Sequence, residues 1–211
     1  MKVNIKKLAV FVSVAAIAMF IAVSTASAYY SWWKMLIRGE YAFSGSGTAT
    51  LAWTGFDADP EDAADDFTPK NPEYAEMGPN VWEGTYTFYL DGKGKMDARQ
   101  CYNEGPDAMS PYSSGCANIS WEFEYEMDGA EITFTFIPGT YALEYTEGPN
   151  IGLKFVPPTQ TVFDQQWTGR ISPDGRNLFV FYGGPFKIKV LDLPPLELIL
   201  NTVHQGFKTR Y

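Results

Sequence analysis

One histidine, two cysteines and 25 carboxylates are the side chains with which this 211-residue chain could do chemistry. His204 lies between Val203 and Gln205, far in sequence from any activated nucleophile. No Gly-x-Ser-x-Gly elbow is present, and Gly45-Ser46-Gly47 lacks the third glycine of a dinucleotide fingerprint, where Thr50 stands. His204 is therefore read as a structural strand residue, and no catalytic residue is nominated. With so few nitrogen and sulfur ligands a transition metal would have to rest on carboxylates, a poor set for zinc, so no cofactor is expected. The acids do crowd at one place, where Asp57, Asp59, Glu61 and Asp62 open a run that continues to Asp65 and Asp66. Calcium is the cation such oxygens would take, with the first four as candidate ligands. An EF-hand, however, needs Gly and Glu where Asp62 and Thr68 stand. A short acidic helical turn, capped by Asp59 with Pro60 at its first position, accounts for these residues better.

The compartment follows from the first 28 residues. Lys2, Lys6 and Lys7 precede an apolar run from Leu8 to Val23, and Ala26-Ser27-Ala28 is a small-x-small cleavage signature. A secretory signal peptide cut after Ala28 is expected, leaving 29–211 as one domain delivered to the periplasm or the medium. An uncleaved anchor would need roughly 20 apolar residues, more than this run supplies. In an oxidising compartment Cys101 and Cys116 read as one disulfide that staples the loop Tyr102 to Gly115.

Losing three lysines and no acid takes the formal charge of −9 further negative. No basic stripe interrupts that acidity, so nucleic acid is excluded as a partner, and attachment to an anionic membrane surface after cleavage is disfavoured.

The elements that must position any site are strands. From Ile119 to Met127 every odd position is apolar or aromatic and every even one is Ser or Glu, the mark of one buried and one wet face. Asp128-Gly129 reads as a two-residue turn, and Ile132, Phe134 and Phe136 resume the alternation. Comparable runs begin at Gly39, Thr48, Gly84, Lys95, Thr140, Thr161, Asn177, Phe186 and Val203, with most of the intervals carrying turn residues. About ten short strands and almost no helical period predict an all-β antiparallel fold, an up-and-down barrel of about 8–10 strands with a β-sandwich as the alternative. Tyr29 to Leu36 reads as a plug or short helix over one barrel end, and Asp57 to Asn80 and Tyr102 to Gly115 as long loops.

Aromatic residues make up 16% of the chain. Tyr86, Phe88, Trp121, Phe123, Tyr125, Phe134, Phe136, Phe179 and Phe181 occupy alternating positions, which predicts an aromatic-rich barrel face. That face is either a packed core or the lining of a cavity for a small apolar or aromatic ligand, with the first seven as candidate contacts.

The segments Gly39-Glu40-Tyr41-Ala42-Phe43, Gly84-Thr85-Tyr86-Thr87-Phe88 with Asp91-Gly92-Lys93-Gly94, and Gly206-Phe207-Lys208-Thr209-Arg210 resemble a class of small exported bacterial proteins. The resemblance implies a barrel similar to allene oxide cyclase or calycin barrels and no particular activity. Tyr41 stands where a lipocalin has Trp, and Ile119 to Phe136 departs from the class. Three functions are compatible with these readings. The chain would be an exported barrel holding a small hydrophobic ligand, a structural or interaction protein of the envelope with an exported protein partner, or a small outer-membrane barrel.

Overall fold

A computed structural model describes residues 32–52, 54–56, 68–71, 73, 75–103, 114–148, 151–152, 154–155, 166–182, 185–188 and 196–210. The predicted signal peptide and the four calcium candidates Asp57, Asp59, Glu61 and Asp62 lie outside the described residues. Among those described, no helix is long and apolar enough to cross a membrane.

Among the described residues, eleven strands follow one short helix, α1, at residues 32–37. They are β1 (Gly39–Ala52), β2 (Ala75–Phe88), β3 (Lys93–Asn103), β4 (Ser114–Asp128), β5 (Glu131–Phe136), β6 (Ala142–Glu147), β7 (Lys154–Phe155), β8 (Gln166–Ile171), β9 (Asn177–Tyr182), β10 (Pro185–Ile188) and β11 (Leu196–Arg210). Every pairing is antiparallel, in the order β3-β2-β1-β11-β9-β8-β5-β4, and β4 returns to β3 to close the ring. The predicted barrel is therefore present as a closed eight-stranded up-and-down meander. β6 with β7 forms a side flap on the first half of β4, and β10 lies beside the start of β11.

Local chemistry explains the elements. In β4 and β5 the alternation places Trp121, Phe123, Tyr125, Met127, Ile132, Phe134 and Phe136 inside while Glu122, Glu124 and Glu126 stay in water. The hairpin loop between them is Gly129-Ala130, one residue later than the sequence suggested, because Asp128 still pairs with Glu131. Gly129 takes the positive φ of 60° that the turn requires. The Cys101–Cys116 disulfide is formed and joins directly opposed residues of β3 and β4.

α1 closes one end of the barrel, as its aromatic sequence suggested. Its last residue, Ile37, is fully buried. Gly39, with φ 123°, terminates the helix in the left-handed region that side chains avoid. Lys208 Nζ donates to the Leu36 carbonyl at 2.7 Å, and Tyr41 Oη donates to the Gly175 carbonyl at 2.7 Å. Partial burial, and then the nearby Arg38 charge, lower the Lys208 pKa from its ordinary value.

Three elements differ from the sequence reading. β1 is one continuous strand, where the sequence reads as two runs beginning at Gly39 and at Thr48. β2 begins at Ala75, inside the stretch Asp57 to Asn80 that reads as a long loop. β3 joins it only from Asn80 onward, so Pro79 sits where β2 is an edge and its missing N–H costs no ladder bond. Finally, Phe179 and Phe181 face outward, because β9 buries Leu178 and Val180 instead.

Candidate ligand site in the barrel interior

All seven aromatic candidates converge on the inner face, and all are buried. Towards α1 they form one packed group. Phe123 lies 5.4 Å from Phe88 and 5.2 Å from Phe134, and Tyr125 lies 5.2 Å from Phe88, all edge-on. Tyr125 Oη is satisfied by the Tyr89 carbonyl at 2.6 Å. This half is core.

The other half mixes aromatic walls with polar groups. Trp121 meets Phe136 at 5.0 Å, Trp167 at 5.2 Å and Trp82 at 6.3 Å, and Tyr141 of the β6 flap stacks on it at 5.9 Å. Beside this wall sit the buried polar residues Asn80, Thr202 and His204. Trp82 Nε1 donates to Asn80 Oδ1 at 3.0 Å and Thr202 Oγ1 to the same oxygen at 3.3 Å. Because indole can only donate, the amide orientation is fixed and Nδ2 points elsewhere. Among the described residues, Asn80 Nδ2 and Trp121 Nε1 have no hydrogen-bond acceptor. Leaving a buried donor unmet costs about 1–3 kcal/mol, so both N–H groups are places where an incoming oxygen or nitrogen would be stabilised.

His204 lies across the inner face of β1. Its ring stacks on Phe43 at 4.5 Å and 19°, and Nδ1 stands 2.8 Å from Tyr86 Oη. Burial pushes its pKa down to about 3, so the imidazole is neutral at physiological pH. Gly45 makes this pose feasible, since a Cβ there would fall on Cδ2 of the ring.

Comparison with known proteins gives little to add to this geometry. No family model matches the chain, and no curated protein resembles it. Among solved structures it is similar to the crystal structure of Rv2717c from M. tuberculosis, at 12% identity over 83% of this chain and 94% of that one, with a TM-score of 0.22. At that level of superposition the likeness bears on no residue of the site.

A cleft of about 900 Å³ opens across β2, β3, β4 and β6, with Glu83, Asp97, Arg99, Asn118, Glu144 and Lys154 among its lining. Its cations are already engaged. Arg99 reaches Glu83 and Glu147, and Lys154 meets Glu144 at 2.9 Å. Among the described residues no cluster of His, Cys, Asp or Glu is arranged to hold a metal.

Asn80 and Thr202 were not legible as site residues. The Asn80 stretch reads as loop, and a threonine in a C-terminal strand carries no signal of its partner, which lies 122 positions away.

Proposed function

We propose that this chain is an exported β-barrel that carries a small molecule with a flat apolar body and a hydrogen-bond acceptor on its edge. The observation that carries the reading is the pair of buried, unmet donors, Asn80 Nδ2 and Trp121 Nε1, set into an aromatic wall. Aromatic faces would sandwich the body, and the two N–H groups would orient the acceptor, the usual division of labour in a small-molecule site. Calycin-like carriage is the matching architecture. Export rests on the leader pattern in residues 1–28, and the disulfide agrees with an oxidising compartment.

The polarity of the wall argues for an aqueous location. Glu122, Glu124 and Glu126 face outward and the aromatics inward, the reverse of a lipid-facing barrel. Native mass spectrometry of the protein, purified without detergent from its own envelope fraction, tests the proposal. A retained species of a few hundred daltons is expected. A bare polypeptide, with no mass recovered by solvent extraction, would overturn it and leave the scaffold reading.

A further inference from the structure

β9 is apolar on both sides. Leu178 and Val180 face the core, while Phe179 and Phe181 stand 36% and 49% exposed, a pattern characteristic of a strand covered on both faces. The register extends the outer patch. Phe181 pairs with Val203 on β11, Val203 with Ser46 on β1, and Ser46 with Val81 on β2. Phe207, two pleats further along β11, is 54% exposed beside Ala42. From 177 to 181, 201 to 207 and 42 to 50, no outward position carries a charge. Glu122, Glu124, Glu126 and Glu131 instead project from β4 and β5, across the barrel.

We propose that this uncharged face, centred on β11, is where a second copy of the chain docks in an isologous dimer. Two molecules of net charge −9 can meet here without opposing their carboxylates. The face is also complementary to itself. With a two-fold axis running along β11, each copy's β9 lies over the other's β1. Phe179 and Phe181 then meet Ser44 and Ser46, large side chains over small ones. Val203 and Phe207 lie near the axis. The association is expected to be concentration-dependent.

Sedimentation velocity of the protein purified from its host, across a micromolar to millimolar series, should shift from monomer to dimer. Val203→Lys places like charges at the axis and should hold the protein monomeric at every concentration, with an unchanged circular dichroism melt. Phe181→Lys should do the same, and adding Ser46→Glu should restore the dimer, because these positions face each other across copies. As a check independent of those variants, Val203→Cys should form a disulfide-linked dimer on oxidation, and Glu122→Cys on the opposite face should not. A monomer throughout the series, or equal cross-linking from both cysteines, would overturn the proposal. So would a monomer that co-sediments with phosphatidylcholine vesicles, which would assign the face to lipid.

Discussion

Tyr86 Oη and His204 Nδ1 are 2.8 Å apart although their strands are not neighbours, since β1 lies between β2 and β11. The contact crosses the inner face of β1, where Phe43 stacks on both rings and Gly45 leaves the necessary space. One polar contact inside an apolar barrel thus ties three strands, and the burial of its imidazole depends on the ring staying neutral.

That dependence sets a pH response. The folded-state pKa is lowered to about 3 from 6.5, so the unfolded chain takes up a proton first as pH falls. The contribution of neutral His204 is fully present above pH 6.5 and is lost at roughly 1.4 kcal/mol per pH unit as pH drops towards 3. Urea titrations at pH 7.5, 6.0 and 5.0 should register this slope before most carboxylates protonate. His204→Gln should be less stable at pH 7.5 and lack the slope. Because it is the chain's one histidine, a single imidazole resonance in NMR should confirm the low pKa.

Gly45 should tolerate no side chain. A Cβ there meets the His204 ring and the Val203 carbonyl oxygen, both of which are held by the ladder or by stacking. Gly45→Ala is expected to cost about 1–3 kcal/mol through overpacking, measured as a fall in Tm, whereas Ser44→Ala on the outer side should be nearly silent.

Removing the disulfide should weaken the barrel without dissolving it. On the chain-entropy model a loop with a sequence separation of 15 contributes about 3 kcal/mol. β3 and β4 also pair along their length, from Lys93–Glu124 to Asn103–Ser114. The Cys101→Ser/Cys116→Ser double variant is therefore expected to keep its far-ultraviolet spectrum and unfold at lower urea.

The two unmet donors separate ligand contact from scaffold. Trp121→Phe removes one N–H while keeping an aromatic ring, and Asn80→Leu removes the amide. If they touch the ligand, the mass seen by native mass spectrometry should decrease or vanish in both variants while the fold persists. In the ligand-free protein Trp121→Phe loses no hydrogen bond among the described residues, so its cost is that of the space left by the smaller ring. Asn80→Leu should cost about 1–3 kcal/mol, because Trp82 and Thr202 lose their acceptor.

How much of this was legible follows from range. The hairpin of β4 and β5 can be read from Ile119 to Phe136 alone, because alternation and turn chemistry act between neighbours. β1 and the first half of β2 could not be read so easily. Gly45, Gly47 and Pro79 follow rules set by what lies opposite them, and only the register reveals that. The aromatic inner face was legible as a pattern, but Phe179 and Phe181 were assigned to it when they lie outside, since a strand apolar on both sides carries no mark of which side is in. The polar cluster was invisible for the same reason, with Tyr86 and His204 118 positions apart.

The pairing of β1 with β11 has a consequence in time. Glu40 finds its ladder partner in Arg210, so β1 waits for β11 and the ring has no clasp until β11 has emerged. Until then β1 keeps one open edge, and so does β9, which also finds its partner in β11. A chain built this way makes its most distant contacts last, which slows its folding relative to proteins assembled from local contacts. It also stays open, threadable and sticky until the fifteen residues of β11 arrive.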